Sequence, residues 1–551
     1  MKTRLTATLL VFVMLILPVM SACADNSDNT PDSTDTPSSS TSAPDTDVPS
    51  DESGYEELKY GKNRLTLSRI TVHDPSIVYD STSGKYYLFG SHRGWAVSSN
   101  LANWSQMSLP MDSSYKKLFK EDAEWSELGN SSYDVSGNMW APDVIYNEAM
   151  GKWCMYMSIN GDNYYSSIVL LTADKINGKY TRVGTVVYSG FTNSKQAKMT
   201  DFEKVTGGTK ITRYVSNGKW NSQIGPNAID PCVFYDENGE LWMSYGSWFG
   251  GIFLLKLDNE TGLRDYNTTY KTQNNKSDAY FGYKLSGGYG GTGEGSYIVW
   301  DKDTGYYYMY LSYCGLNATD NFSGYHIRLF RSENVNGPYV DAAGNSAICK
   351  AAGTNQSNKG IKLFGNYYFS SLKSNGDNSN KGYMSPGHNS AFIDSDGQHY
   401  LIYHTRFNLG NEWHAVRVHQ QFMNQDGWPV TAVYEHQGSV ISEKGYELDD
   451  IVGTYEYVDH GLAAETTFTD MLPTLTVELT ADGKITGDVT GTWEQVTGDD
   501  GKGYYATFEI KGKTYKGIFF KQYDESRKHK ETMTFSLIGE NNHSIWGSKI
   551  S

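Results

Sequence analysis

The sequence predicts an all-β protein: a five-bladed β-propeller followed by a small antiparallel β-barrel or sandwich. Three observations carry the prediction. A unit of short strands repeats five times along the chain. Aromatic residues make up 14% of the 551 residues, with 42 Tyr and 56 Gly against 14 Pro, which suits strands joined by tight turns. The repeats show no long 3.6-residue apolar period of the kind that marks an amphipathic helix.

Residues 1–23 read as a lipoprotein-type signal peptide. Lys2 and Arg4 precede twelve apolar residues, Leu9 to Met20. That is too short for a bilayer span, which needs about 20 residues, and it suits a secretory leader. Ser21-Ala22-Cys23 resembles a bacterial lipobox, in which Cys23 is lipidated; Met20 stands where leucine is usual. Residues 24–54 hold eight acids, no Lys or Arg and almost no apolar side chain. Such a segment has nothing to offset its ordering entropy and is expected to be a disordered, self-repelling tether. The expectation is a protein secreted across a bacterial cytoplasmic membrane and lipid-anchored at the cell envelope.

Residues 55–443 carry the repeat. Each copy has a polar anchor that opens an apolar strand, a Gly-containing turn 8–11 residues after the anchor, then an aromatic strand. The anchors are Asp74, Asp143, Asp230, Glu294 and Asn389, and the turns hold Gly84, Gly151, Gly239, Gly305 and Gly397. Tyr86-Tyr87-Leu88-Phe89 and Tyr306-Tyr307-Tyr308-Met309-Tyr310 typify the second strand. A third strand follows each time, as at Trp95-Ala96-Val97 and Ile327-Arg328-Leu329. Such meanders in radial repetition make a propeller, with the first strand of each blade lining the central channel. The five anchors are therefore expected to converge at one end of that channel.

Residues 444–551 lose the repeat. Segments such as Thr474-Leu475-Thr476-Val477-Glu478-Leu479 and Tyr515-Lys516-Gly517-Ile518-Phe519-Phe520 read as strands, and Asp482-Gly483 and Lys511-Gly512 as hairpin turns. This domain has no acid cluster of its own and is expected to be accessory.

Composition removes several function classes. The net charge is −16, with eight of the acids in the tether, so no basic surface is available for nucleic acid. Cys154, Cys232, Cys314 and Cys349 lack CxxC spacing, which argues against a thiolate zinc site; Cys154 and Cys314, inside apolar runs, are expected to be buried. The glycine-rich run 287–295 lacks the Lys-Ser/Thr of a phosphate-binding loop, and no Gly-x-Ser-x-Gly elbow stands out.

Like charges brought together are costly unless paired or used. Two carboxyl groups flanking a scissile bond are the equipment of glycoside hydrolysis, and a third can tune and orient the acid. Here the motifs become specific. His73-Asp74-Pro75-Ser76-Ile77, Asn227-Ala228-Ile229-Asp230-Pro231 and Glu294-Gly295-Ser296-Tyr297 resemble the three acid motifs of glycoside hydrolase family 43. Trp140-Ala141-Pro142-Asp143-Val144 resembles its second-blade motif. Gly246-Ser247-Trp248, Ser385-Pro386-Gly387-His388-Asn389-Ser390 and His404-Thr405-Arg406 narrow the resemblance to the endo-1,5-α-L-arabinanases with an extra C-terminal domain. The resemblance covers about residues 65–551. Ser296 departs from it, since Pro often follows that Gly.

The resemblance implies an inverting hydrolase that cleaves internal α-1,5-linkages of arabinan. Asp74 is then the general base, Glu294 the general acid, and Asp230 the residue that tunes and orients Glu294. Inversion implies carboxyls roughly 6.5–9.5 Å apart. A channel metal, commonly calcium, is implied on His388. Trp140 and Trp248 are candidates to stack on sugar rings, and His73, His92, Asp143, Asn227, Ser247 and Arg406 to contact the substrate. The chain is expected to act as a monomer. Two alternatives stand beside this reading: an exo-acting or otherwise arabinose- or xylose-directed glycosidase, and a non-catalytic glycan-binding lipoprotein.

Overall fold

Alternation along the second strands decides the packing. In a strand, successive side chains point to opposite faces. Cys154 and Tyr156 join one buried cluster while Met155 and Met157 join another, and Tyr307, Met309 and Leu311 part from Tyr308 and Tyr310 in the same way. Both faces of each sheet are therefore covered, which is why these strands read as unbroken apolar and aromatic runs.

The computed structural model describes residues 64–291, 293–316, 324–462 and 471–551, which fall within one compact unit. The leader, Cys23 and the acidic stretch lie outside the described residues. Five antiparallel sheets form the blades of a propeller. Their inner strands are Ser76–Asp80, Met139–Asn147, Cys232–Tyr235, Glu294–Asp301 and Tyr383–Ile393. Each inner strand contacts the next in order, and the fifth returns to the first, so the ring is closed. The segment before blade one clasps the seam. Leu65 N donates to Gln437 O, Val416 N to Ile70 O, and Trp104 N to Ser68 O, at 2.9 Å each.

Every blade makes its first turn with a glycine of left-handed conformation, Gly84, Gly151, Gly239, Gly305 and Gly397, with φ between +61° and +85°. L side chains rarely adopt that region, so glycine at this place in each repeat is a backbone requirement. Cys154 is buried as expected, but Cys314 is only half-buried. It sits at φ +68°, just past the strand Tyr306–Tyr313, where the chain leaves the core.

The C-terminal domain is a closed barrel of eight strands, from Gly453–Asp459 to Ser544–Lys549. Sequence patterning missed two short members, Lys484–Gly487 and Ser544–Lys549. The first has four residues, and the second carries a Gly where an alternating pattern would need a side chain. Tyr455, Val477, Leu479, Phe508, Phe519 and Phe535 fill the barrel interior. Trp546, Ile518 and Phe520 instead belong to the cluster formed by blades four and five. Trp546 is fully buried, its ring 5.2 Å from Phe364 and 5.3 Å from Tyr367. A buried polar network crosses the same seam: Arg69 donates to Glu435 at 2.7 and 2.9 Å, and Glu435 N donates to Glu525 at 3.1 Å. Barrel and propeller therefore share one core.

Candidate active site

Strand register fixes which residues ring the channel mouth. Ser76 pairs with Phe89, Asp143 with Tyr156, Cys232 with Ser244, Tyr297 with Tyr310 and Ser390 with Ile402. Two residues before each of these stands a residue in left-handed conformation: Asp74, Ala141, Asp230, Gly295 and His388, with φ from +35° to +58°. These five are equivalent positions. Strain of this kind persists only where the surroundings over-determine it, and it clusters at functional sites.

The left-handed kink turns a backbone N–H out of its own sheet, and the neighbouring blade accepts it. Asp74 N donates to His404 Nδ1 at 3.0 Å, Ala141 N to Ser91 Oγ at 2.8 Å, and Asp230 N to Ser158 Oγ at 2.9 Å. His388 N donates to Ser312 Oγ at 2.7 Å. In the fourth blade Gly295 N points to Asp230 Oδ2 at 3.4 Å, a carboxyl oxygen in place of a hydroxyl. Ser91, Ser158, Ser312 and His404 each lie two residues past the second-strand partner named above, Phe89, Tyr156, Tyr310 and Ile402. That periodic signal is present in the sequence, and reading only the anchors missed it.

The ring corrects the expected anchors. Asp74 and Asp230 occupy it, Glu294 precedes its Gly295, and His388 fills the fifth place where Asn389 was expected. Asp143 lies two residues further along its strand, one layer deeper, at the level of Ser76. Its carboxylate accepts the Ser76 hydroxyl and Val233 N–H, the latter at 2.6 Å, and it is 2% exposed. Asp143 joins three blades and turns no free oxygen toward a substrate, so its expected substrate contact gives way to a structural one. Burial pushes its carboxyl up to about 6, against the pull of those hydrogen bonds.

The remaining acids are set apart by their surroundings. Burial alone would raise Asp74, but His388, His73 and His404 outweigh it and hold the carboxyl well below the usual range. His388 Nδ1 lies 3.1 Å from Asp74 Oδ1 and His73 Nδ1 2.8 Å from Oδ2, where Ser91 Oγ also donates. Asp230 is pushed up to about 7 by burial, and by the negative charge of Glu294 and Asp74 against the pull of His388. One carboxylate is thus poised to accept a proton and its neighbour to keep one, the separation that marks acid–base work.

Glu294 is held by three donors. Trp248 Nε1 at 2.5 Å and Ser247 Oγ at 2.9 Å bind Oε2, and Tyr325 hydroxyl at 2.8 Å binds Oε1. An indole N–H can only donate, whereas a phenol can also accept. Oε1, facing Tyr325, is therefore the oxygen able to carry a proton without losing its partner. Tyr325 is fully buried and no motif pointed to it. Its ring fills the space beside Gly387, where an added Cβ would lie 2.2 Å from it. Gly295 plays the same part for His388, whose ring atoms stand 3.0 Å from where its Cβ would be.

The other expected contacts divide by exposure. His92 is exposed and Trp140, its ring 6.4 Å away, is half-buried with Nε1 donating to Gly137 O. Trp248 is half-buried, and the neighbouring Phe249 is 36% exposed, edge-on to Tyr164 at 5.0 Å. Asn227 is half-buried with Oδ1 unpartnered. Arg406 is 3% exposed and turned inward, donating to Glu412 at 2.5 Å beside His404 and His73, so it backs the histidines rather than lining an open surface.

A bound cation fits these residues. Asn389 is 1% exposed with both amide atoms unpartnered, and Ser390 Oγ is unpartnered too. Buried polar groups ordinarily have partners, so the channel below His388 suits ordered water. Three carboxylates, one imidazole and water form an oxygen-rich donor set of the kind calcium prefers. His73, Asp74 and His404 also bring ligand atoms within 4.8 Å of one another, but His404 Nδ1 already accepts Asp74 N–H.

Comparison with known proteins agrees with this geometry. The glycosyl hydrolases family 43 description matches residues 208–429, and a C-terminal lipocalin-like domain description matches residues 434–547. The chain is 37% identical to extracellular endo-α-(1→5)-L-arabinanase 2 of Bacillus subtilis, over 88% of this chain and 94% of that protein. The chain belongs to glycoside hydrolase family 43. It is 36% identical to the extracellular endo-α-(1→5)-L-arabinanase of Thermotoga petrophila, over 88% and 95%. The crystal structure of endo-1,5-α-L-arabinanase from Thermotoga petrophila superposes with a TM-score of 0.72 at 34% identity, covering 88% of this chain and all of that one. In this family 43 chain Asp74 and Asp230 stand in the ring and Glu294 stands next to it.

Proposed function

We propose that this family 43 hydrolase is an endo-1,5-α-L-arabinanase acting by inversion. The observation that carries the reading is the unequal setting of three carboxyls at one channel mouth, with Asp74 held ionised by histidines and Glu294 caged by Trp248, Ser247 and Tyr325. The names of the relatives supply the substrate class. Asp74 accepts a proton from water as that water attacks the anomeric carbon. Glu294 gives a proton to the leaving oxygen, and Asp230, through Gly295 N–H, holds the acid in place. Trp140, Trp248 and Phe249 offer faces for arabinose rings, and His92 and Asn227 offer polar contacts. His388, with water, would hold a calcium ion, which would supply positive charge to the carboxyl cluster.

The test is digestion of linear arabinan. Mixed oligosaccharides at early times, with the newly formed anomeric centre inverted by NMR, are the expected products. Asp74→Asn and Glu294→Gln should each lower kcat by about 10²–10⁴. Arabinose alone from the first minutes would mean exo action, and retention of configuration would remove Asp74 as a base. Metal content of the purified protein, expected to fall in His388→Ala, checks the cation separately.

The relatives' extracellular description and the leader support secretion. Lipidation of Cys23 and a monomeric body complete the proposal. Mass spectrometry of the mature N-terminus reads the first, and an unmodified Cys23 would remove the anchor. Light scattering reads the second.

A further inference from the structure

Outside the carboxylate ring, a buried cation of blade three has no ion pair among the described residues. Lys284 lies in the fourth-position strand of blade three, Gly282–Ser286, and is 8% exposed. Its ammonium sits 5.2 Å from the Tyr289 ring centroid and directly under Gly288, where an added Cβ would lie 1.9 Å from Nζ. Among the described residues, Nζ has neither a hydrogen bond nor an ion pair. A buried charge is costly unless it is paired.

No group nearby supplies the pairing. Arg213 Nε donates to Asp278 Oδ2 at 2.8 Å, and Asp278 Oδ1 takes the Tyr214 hydroxyl at 2.7 Å and two backbone N–H groups. Asp278 is therefore spent. The Cys349 thiol is raised by burial and stays neutral. Lys284 itself is lowered by burial to about 8, with Arg213 adding to the effect, and is mostly protonated at neutral pH.

The ammonium faces a cavity of about 30 Å³ between Arg213, Lys276, Asp278 and Tyr289, rimmed by Gln223, Asn274 and Asn275. That volume holds one water-sized group, which is a halide or one oxygen of a carboxylate whose remainder stays outside the cavity. Three cations against the one carboxylate of Asp278, with amide side chains at the rim of a space of this size, select a single small negative charge.

We propose that this cavity binds a small singly charged anion, a carboxylate or a halide, with Lys284 as its counter-ion and Arg213 beside it. The occupant braces the glycine-rich loop. Tyr289 N donates to Gln223 O and Gly290 N to Phe249 O, each at 2.9 Å, so the anion is one wall away from the aromatic rim of the cleft. A carboxylate arriving on an acidic sugar and a free halide from solution share this chemistry.

The test is thermal unfolding of the full chain in sodium acetate, sodium galacturonate or sodium chloride, each at constant ionic strength against a bulky sulfonate salt. Ligand at about 100-fold over its Kd should raise Tm by about 2–3 °C, with saturation. Lys284→Met keeps the apolar stem and should abolish the response. A response to acetate and galacturonate but not chloride assigns a carboxylate; a response to chloride alone assigns a halide. Crystals of the unaltered protein soaked in bromide should show an anomalous peak beside Nζ, a readout that needs no variant. Indifference of the wild-type Tm to all three salts with no bromide peak would overturn the proposal, as would an equal response in Lys284→Met.

Discussion

Asp143→Asn separates a substrate contact from a structural clamp. The carboxyl of Asp143 stands at about 6 in the folded protein against an ordinary 3.8. A displacement of about two units corresponds to about 3 kcal/mol at 1.36 kcal/mol per unit. The folded state holds this proton to higher pH than the unfolded chain does. The group's contribution to stability is therefore complete below about pH 4 and is lost as pH rises through 6. An asparagine amide is neutral throughout: its oxygen accepts Val233 N–H and its NH₂ donates to Ser76 Oγ. Relative to wild type, Asp143→Asn should be more stable by about 1 kcal/mol near pH 4.5 and by about 3 kcal/mol at pH 7. Urea midpoints from pH 4.5 to 7.5 measure the difference. Arabinan kcat/KM should stay within about threefold, because no polar atom of Asp143 faces the cleft. A variant less stable than wild type at pH 7, or a gap that ignores pH, refutes the burial argument. A hundredfold loss of activity at unchanged stability would restore the substrate contact.

Tyr325→Phe removes the hydroxyl bonded to Glu294 Oε1, a group that can both give and take a hydrogen bond. It should lower kcat by about 10–100-fold and leave KM within about threefold, as steady-state kinetics on arabinan will show. Trp546→Ala opens a cavity where the barrel meets blades four and five and should cost about 3–5 kcal/mol. Because that core is shared, calorimetry should show one transition moved down rather than a separate early melting of the barrel.

The repeat was legible because its physical causes are local. The turn glycines need a left-handed φ, and an aromatic strand buried on both faces shows as an unbroken run. Register was harder. Asp143, Glu294 and Asn389 were aligned with Asp74 and Asp230 as polar residues that open a strand, yet the equivalent positions are Ala141, Gly295 and His388. Gly295 is small because the His388 ring stands close by, and smallness carries no chemical signal in a sequence. Tyr325 escaped for another reason: it lies in a blade-four connection, and its partner Glu294 is 31 residues away. The barrel's sharing of a core with blades four and five is likewise a property of which faces meet, not of any one segment.

One backbone device serves both fold and chemistry. A left-handed residue at the mouth of each inner strand frees an N–H, and the next blade's Ser or His accepts it, stitching the ring. The same kink swings the side chain at that position off the strand face and over the channel. Where the residue is Asp74, Asp230 or His388, the stitch also aims a titratable group. Blade four is the exception that fits the acid's task. There the stitch is made by Asp230's own carboxylate on Gly295 N–H, so the residue that orients Glu294 is also the bond that holds its blade. Losing Asp230 would therefore loosen the acid's backbone as well as change its charge environment. The two effects part experimentally: Asp230→Asn keeps an acceptor for Gly295 N–H and removes only the titratable proton, whereas Asp230→Ala removes both.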